Sequence, residues 1–343
     1  MSRVALGVGL ALVALSAQAQ PPSLPKGVLK NQEALAKARA ALAHKILRRM
    51  VQAEVGLAFQ AREVTVGSEG RTTEQWVKRD PKQGIRRESI KPEGILLIDN
   101  QRRQFLIHQR EKRYQEGKSQ LAEVKKRFQE ALQAGQGALL LELQGTDTIA
   151  GRPTDVVFVH PGDGLVGPSR RFWVDRETGL RLRTEERAPD GRILSNTYYL
   201  SLELNPSFKP DDFQPPPLPP GFKRILDNQK RYKSLEEAGK DGVVVRQPGW
   251  LPMGYTLRTI TVTREARPRT TLLWGNGLTT ISLVSVPNPM PPMLHKLLNG
   301  ADSGIVQPAR GERSYAWKTA EGYALVIGNL PDDQLKRISD SVH

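Results

Sequence analysis

The sequence contains no cysteine, only five histidines and few aromatic residues, which make up 6% of its 343 residues. Without cysteine, neither disulfide bonds nor thiol chemistry are available, so the core has to be stabilised by packing alone. The histidines are scattered, and none lies in a His-Glu-x-x-His motif. The sequence therefore predicts no metal site.

Motifs of catalysis are missing as well. No Gly-x-Ser-x-Gly string, which a nucleophile elbow requires, occurs in the chain. The glycine-rich stretch 162–167 precedes a predicted strand and lacks the Gly-Lys-Ser/Thr ending of a phosphate-binding loop, so we interpret it as a hairpin loop. We predict a protein that is not an enzyme and needs no cofactor. A catalytic group formed by His108, His160 and a carboxylate is the alternative that the sequence leaves open.

Long apolar runs are confined to the N-terminus. Arg3 precedes the apolar stretch 4–15, and residues 17–19 (Ala-Gln-Ala) are small where a signal peptidase cleaves. The run is shorter than the roughly 20 residues that span a bilayer. We therefore predict a signal peptide over residues 1–19 and an exported, periplasmic protein. Because the sequence has no lipobox cysteine, we expect it to be peripheral to the membrane at most.

The formal net charge is +15, and the lysines and arginines are dispersed along the chain. Such a surface attracts anions, and charge alone leaves acidic protein segments, anionic lipids, lipopolysaccharide-like polymers and nucleic acid as possible partners. The aromatic residues lie on the apolar faces of predicted strands and are not interleaved with cations, so nucleic acid is the least favoured partner. A solvated basic surface without a specific partner is the simpler alternative.

The apolar pattern changes from a helical period to a strand period early in the chain. Apolar residues recur at three- and four-residue steps over residues 31–60, which predicts a helix, and again over residues 118–134. Between and after these helices the period approaches two. The predicted strands are residues 57–66, 72–79, 85–90, 95–99, 103–108, 138–144, 154–160, 170–175, 180–186 and 193–204. The pattern predicts an α+β fold with a curved antiparallel sheet whose covering helices leave a concavity.

Prolines mark a boundary after this sheet. Residues 205–221 contain seven prolines, a density that cannot continue a sheet and favours polyproline II. We predict a first domain over residues 20–204, a proline-rich linker over 205–241 that includes a connector helix at 228–240, and a smaller α+β domain over 242–343. The predicted elements of this last domain are strands at residues 255–263, 269–274, 278–287, 314–318 and 323–327, and a helix from Pro331.

Two strings of the first domain are typical of lipoprotein carriers and their relatives. Ile149-Ala150-Gly151-Arg152-Pro153 precedes a predicted strand, and residues 172–180 (Phe-Trp-Val-Asp-Arg-Glu-Thr-Gly-Leu) form a predicted hairpin. The first string resembles an "AGR" strand and the second an "LW-D-x-x-T-G-L" hairpin, which LolA and LolB share. The resemblance implies a LolA-like half-barrel.

The second domain narrows the resemblance. Residues 250–255 (Trp-Leu-Pro-Met-Gly-Tyr) and 273–283 resemble the "LP-x-G-F" entry and the "YSDGL-x-x-F-S-V" strand pair of the periplasmic sigma-E regulators, RseB and MucB. Residues 326–331 and 335–342 resemble that family's closing "V-V-G-x-x-P" strand and "RIA-x-SV" helix. The chain departs from the pattern at Asn276, where the family string has an acidic residue.

The resemblance implies that the chain binds the periplasmic region of a membrane-anchored anti-sigma factor and senses lipid or lipoprotein in an apolar concavity. A periplasmic lipid or lipoprotein carrier without a signalling role is the alternative. Candidate liners of the concavity are Leu57, Phe59, Trp76, Ile85, Leu96, Ile98, Phe105, Phe158 and Trp173. For partner binding we predict a basic, aromatic face that comprises Arg258, Arg264, Arg267, Arg269 and Trp274. Ordinary core packing and a solvated strand face are the competing interpretations of the two sets.

Overall fold

The computed structural model describes residues 26–122, 139–162, 165–226, 228–264, 268–289, 292–306 and 313–343. The chain divides into two compact units, residues 1–38 and residues 39–343, and the second unit contains both sheets. The predicted signal peptide, residues 123–134 of the predicted second helix and Arg267 lie outside the described residues. None of the described helices is long and apolar enough to cross a membrane.

Helix α1 (Lys26–Gly56) provides the apolar layer over the first sheet. Ala43, Ile46, Leu47 and Met50 recur at three- and four-residue steps, so they lie on one face, and all four are buried. They pack with Val157, Val159, Phe172 and Val174 of the sheet, and with the half-buried Leu139, Leu141 and Leu143. The helical period in this part of the sequence therefore reports a real packing face.

The first sheet has twelve strands in the order β12-β6-β5-β4-β3-β2-β1-β11-β10-β9-β8-β7. All neighbours are antiparallel except β12 and β6, which are parallel. The order is open, because β12 and β7 end it. The strands are β1 (Phe59–Gly67), β2 (Thr72–Asp80), β3 (Gly84–Lys91), β4 (Ile95–Asp99), β5 (Arg103–His108), β6 (Arg113–Lys118), β7 (Leu139–Ile149), β8 (Arg152–Pro161), β9 (Ser169–Asp175), β10 (Arg181–Arg187), β11 (Ile193–Leu204) and β12 (Lys223–Ile225).

The register assigns each strand residue to one of two faces. Phe59 pairs with Arg79 and Ala61 with Val77, so these side chains share a face, and Ala53 of α1 packs on it. We call the side covered by α1 the inner face and the opposite side the outer face. The prediction of an α+β fold with a curved, open antiparallel sheet and a covering helix is confirmed.

The proline-rich stretch packs on the outer face of this sheet. A 3-10 helix (Pro210–Phe213) buries Phe213 completely, and Asp212 pairs with Lys78 of β2 at 2.5 Å. Leu218 and Phe222 then pack on the apolar cluster of Leu96, Ile98 and Ile107. Strand β12 follows and pairs with β6. Residues predicted as a linker thus cover one end of the first sheet.

The second sheet has seven strands in the order β13-β14-β15-β16-β19-β18-β17. Its core contains Ile260, Leu272, Leu283 and Val326, and the C-terminal helix adds Leu335 and Ile338. The strands are β13 (Gln229–Tyr232), β14 (Thr256–Thr263), β15 (Thr270–Gly275), β16 (Thr280–Pro287), β17 (Ser303–Val306), β18 (Ser314–Thr319) and β19 (Gly322–Ile327), and the helices are α2 (Leu235–Lys240), α3 (Pro292–Leu298) and α4 (Asp332–Asp340).

The predicted connector helix over 228–240 is wrong in its first half. Residues 229–232 form β13, because Tyr232 pairs with Ile260 and buries its ring in the core of the second sheet. The helix starts after Ser234, whose hydroxyl accepts the backbone N–H of Glu237 as an N-cap. The predicted helix at Pro331 is confirmed as α4, with Asp332 and Asp333 in its first turn.

Candidate functional site

A cleft of about 340 Å³ lies between the two sheets, within the unit of residues 39–343. One wall comes from the first sheet and the connection that follows β8; the other comes from the second sheet and α4. The lining residues are Leu139, Pro161, Leu165, Val166, Gly167, Trp250, Pro252, Met253, Tyr255, Asn276, Gln334 and Arg337. We call this feature the Trp250 cleft.

The wall around Trp250 is fixed to the C-terminal end of the chain. Pro248 forms a β-bridge with Val342, the backbone N–H of Gly249 donates to the Ser341 carbonyl at 2.7 Å, and the N–H of Trp250 donates to Ser341 Oγ at 3.1 Å. The Trp250 wall is therefore held by hydrogen bonds on its backbone.

The rim of the Trp250 cleft carries a cation on an aromatic ring. The Arg337 guanidinium lies 4.1 Å from the centre of the Trp250 ring, which is cation–π geometry. Arg337 is exposed, and no carboxylate among the described residues pairs with it. Gln334, one turn earlier on α4, has a buried Oε1 without a hydrogen-bond partner in the described part of the chain. The rim thus offers a positive charge to a binding partner.

Apolar side chains on both walls of the cleft face solvent. Met253 is 59% exposed on one wall and Val166 is 52% exposed on the other. Exposed apolar side chains that face each other across a recess are typical of a surface that packs against another molecule. The Trp250 cleft therefore combines apolar contact area with a cationic rim.

The hairpin between β15 and β16 forms the floor of the cleft and joins the two sheets. Asn276 Oδ1 accepts the backbone N–H groups of Leu278 (3.0 Å) and Thr279 (2.9 Å), and Gly277 between them has a φ of +89°. This turn inserts Leu278, 3% exposed, into the cluster of α1 and the first sheet. The acceptor oxygen explains the position of Asn276, since asparagine and aspartate both supply it.

Tyr255 stands beside this hairpin. Burial raises the pKa of the Tyr255 hydroxyl well above its ordinary value, and a hydrogen bond with Thr279 offsets part of that effect. With its pKa raised, the Tyr255 hydroxyl stays protonated at neutral pH, so the side chain packs and forms hydrogen bonds in the cleft wall and does not act as a base.

A second recess of about 240 Å³ also lies between the sheets. It is lined by Ala188, Pro189, Asp190, Arg192, Arg313, Asn329 and Pro331. Arg313 reaches from the second sheet to Asp332 at 3.0 Å and to Asp190, in the turn between β10 and β11, at 3.8 Å. These exposed ion pairs contribute little stability individually, so Leu278 is the stronger link between the sheets.

The structure divides the nine predicted liners of the concavity between the two faces of the first sheet. Leu57, Phe59 and Ile85 pack on the α1 side. The other six lie on the outer face, as the register shows: Trp76, Leu96, Ile98, Phe105, Phe158 and Trp173. Leu96 and Ile98 are buried beneath the proline-rich stretch. The nine residues therefore do not line one surface.

Phe158 and Trp173 belong to a ladder of aromatic rings and arginines on the outer face. The Arg183 guanidinium lies 4.2 Å from the Trp173 ring centre, and Arg171 lies 5.5 Å from Phe158 and 5.8 Å from Trp173. Glu185, almost fully buried, accepts from three arginines. These are Arg171 (3.2 Å), Arg183 (3.3 Å) and Arg187 (2.8 Å). The rings are therefore covered by cations rather than open to an acyl chain.

The inner face carries charge next to the apolar layer of α1. Glu63 is buried and accepts from Arg87 at 2.9 Å, and Glu54 of α1 pairs with Arg181 at 3.1 Å. Burial lowers the pKa of the Arg79 guanidinium. Burial also raises the pKa of the Tyr199 hydroxyl, and the charges of Glu54 and Glu63 raise it further. This part of the inner face is polar.

The predicted partner-binding residues do not form one patch. Trp274 is 4% exposed and belongs to the core of the second sheet, so its ring packs rather than faces a partner. Arg258 lies beside Gly275, at the cleft end of β14. Arg264 and Arg269 flank the opposite end of the β14–β15 pair, where the Thr263 N–H donates to the Arg269 carbonyl. Arg258 and Arg264 are six residue steps apart along an extended chain, which is about 20 Å.

Sequence reasoning singled out the string 250–255 as a motif but not as a surface. The string does contain a signal of a surface. Its large side chains, Trp250, Met253 and Tyr255, lie among the turn-forming residues Pro252 and Gly254, and side chains in a turn are often exposed. The string could not reveal the other wall of the cleft, because residues 161–167 and Arg337 lie about 90 residues before and after it in the sequence. Among the described residues, no group of three or more histidines or carboxylates is placed to hold a metal ion.

Comparison with known proteins yields one family and a set of similar folds. The profile of the MucB/RseB N-terminal domain matches residues 42–217, about half of the chain. The crystal structure of MucB in complex with MucA(peri) is 20% identical, with a TM-score of 0.58 over 88% of this chain and 98% of that chain. The Pseudomonas aeruginosa MucA/MucB complex, also 20% identical, gives a TM-score of 0.56 over the same shares. The comparison with curated proteins gives no match.

Proposed function

Because this chain belongs to the MucB/RseB family, we propose that it is an exported, periplasmic regulator that binds the periplasmic region of a membrane-anchored anti-sigma factor. The observation that carries the proposal is the family match together with the shared fold, which extends over both sheets. In two solved structures with this fold, MucB is in complex with MucA(peri) or MucA. A role in binding rather than catalysis is part of the same proposal.

The Trp250 cleft is the surface that we propose for this partner. Its exposed apolar walls at Met253 and Val166 suit the side chains of an extended segment. Arg337, held over Trp250, suits a carboxylate of that segment, and a net charge of +15 favours the approach of an acidic chain. Arg258, next to Gly275, is a further candidate contact at the same end of the second sheet.

Calorimetric titration of the full chain with the purified periplasmic region of the anti-sigma factor from the same genome tests the proposal. We expect Met253→Glu and Arg337→Ala each to weaken binding at least about 10-fold, which corresponds to about 1.4 kcal/mol. Val244→Glu is the matched control, since Val244 is 88% exposed in the irregular stretch after α2 and does not line the Trp250 cleft. Absence of binding by the unmodified chain would refute the function. Equal binding by all three variants would refute the site.

The second part of the proposal is that lipid or lipoprotein binding to the first sheet releases the partner. Its support is the family membership, and the charges on the inner face restrict any acyl chain to the apolar layer near α1. Extraction of lipid from chain purified without detergent, followed by mass spectrometry, tests it. Bound lipid without any affinity for the anti-sigma region would instead favour the carrier function.

A further inference from the structure

We propose that β7 (Leu139–Ile149) is a second docking element, to which an extended segment of the partner adds as one more antiparallel strand. The inference rests on the proposed function, because the occupant is the same anti-sigma region. It adds a binding mode and a surface: backbone hydrogen bonds along a sheet edge, in addition to side-chain contacts in the Trp250 cleft.

The position and sequence of β7 carry the first step. It ends the order of the twelve-stranded sheet, so no strand within the described ranges pairs with the second side of its backbone. Its eleven residues, Leu-Leu-Leu-Glu-Leu-Gln-Gly-Thr-Asp-Thr-Ile, contain no lysine, arginine or proline. Natural proteins commonly protect a long edge with such residues, since an unprotected apolar edge invites pairing with another chain. A regular occupant resolves that hazard.

A bulge defines how much of the edge is usable. The register with β8 shifts between Leu143 and Gly145, and Gly145 has a φ of +118°. Bulges bend a strand and interrupt its ladder, so continuous pairing is limited to residues 139–143. At about 3.4 Å per residue, these five residues offer an edge of about 17 Å.

The side chains of residues 139–143 define the chemistry of the occupant. Leu139, Leu141 and Leu143 are half-buried against the α1 cluster, whereas Leu140 is 42% exposed and Glu142 is exposed on the other face. An added strand would extend the core with apolar residues on the α1 side and place polar residues on the outer side. The net charge of +15 favours acidic residues in the segment.

The edge is continuous with the Trp250 cleft. Leu139, the first residue of β7, also lines the cleft together with Pro161, its register partner on β8. One extended segment can therefore contact both the cleft and the edge through Leu139. This continuity is why we assign the edge to the same partner and not to a second copy of the chain.

The absence of cysteine makes disulfide trapping a clean test. Leu140→Cys in the full chain is combined with single cysteines placed in turn along the periplasmic region of the anti-sigma factor. Trapping at alternate positions of that region, about 10-fold above the intervening positions, is expected of a paired strand. Trp76→Cys is the matched control, because Trp76 is 39% exposed on β2 and pairs with Arg62 of β1 on one side and with Glu88 of β3 on the other.

Hydrogen exchange on the unmodified chain provides a second measurement that needs no variant. Amides within residues 139–143 that point away from β8 are expected to exchange at least about 10-fold more slowly in the complex. If the unmodified chain does not bind the anti-sigma region, the proposed function fails and this inference with it. If it binds, but trapping by the Leu140 variant equals that of the Trp76 variant or exchange is unchanged, the edge is not the site. Trapping between two copies of the Leu140 variant, with none to the partner, would also overturn the proposal.

Discussion

The substitution Leu278→Ala tests whether the β15–β16 hairpin holds the two sheets together. Leu278 is 3% exposed and shares a cluster with Ile46, Leu47 and Met50 of α1, although it belongs to the second sheet. The substitution removes most of the buried Leu278 side chain. It leaves a cavity between the hairpin of the second sheet and the α1 layer, and neither can move alone to fill it. For a fully buried leucine we expect a loss of about 3 kcal/mol in the free energy of unfolding. That is a large share of the roughly 5–15 kcal/mol that a folded protein has.

Urea unfolding followed by circular dichroism and tryptophan fluorescence measures this loss. The control is Leu200→Ala on β11, where the side chain is exposed and about 0.5 kcal/mol or less is expected. The double variant Ile46→Ala/Leu278→Ala should lose less than the two single losses together, because both side chains belong to one cluster. The reasoning is refuted if Leu278→Ala loses less than about 1 kcal/mol, or if the two substitutions are additive.

Three further predictions follow from individual polar groups. Asn276→Ala should lose about 1–2 kcal/mol of unfolding free energy in the same urea assay, because two backbone N–H groups lose their acceptor. Asn276→Asp keeps an acceptor oxygen and should lose less, so equal losses by the two variants would contradict the prediction. Glu185→Ala should lose about 2–3 kcal/mol, since three arginines share that carboxylate, and Glu177→Ala, an exposed carboxylate, serves as the control. Burial would raise the pKa of Asp175, but hydrogen bonds from Arg152 and Thr178 outweigh this effect and hold the pKa below its ordinary value. The stability that Asp175 contributes is therefore present above about pH 4 and is lost as the pH falls through the pKa of the folded state. Asp175→Asn should flatten the acid limb of a plot of unfolding free energy against pH, and an unchanged limb would disprove the assignment.

Alternation and turns were sufficient to predict much of the first sheet. Strands 95–99, 103–108 and 193–204 were predicted with the bounds that the structure has, because each is a run of strand-forming residues between clear turns. Strand β6 was missed, since Arg113–Lys118 contains a single apolar side chain, Tyr114, and is held by pairing with β5. Such pairing is a tertiary effect that no local pattern reports.

The candidate site was harder to predict than the fold for a geometric reason. The nine predicted liners were chosen for being apolar, but their face depends on the register between strands, which turn lengths and bulges set. Phe59 and Trp76 illustrate this, because Trp76 pairs with Arg62 and therefore points away from Phe59. The Trp250 cleft was invisible for a different reason, since its walls come from three distant parts of the chain.

The packing of the proline-rich stretch has a practical consequence for dividing the molecule. A chain shortened to end at Leu204, where the first run of strands stops, would leave Leu96, Ile98 and Ile107 without Phe222 and Leu218 above them. It would also lack β12, the parallel neighbour of β6. The smallest fragment of this half worth expressing therefore ends at Ile225 or beyond, and a shorter one is expected to aggregate when it is made.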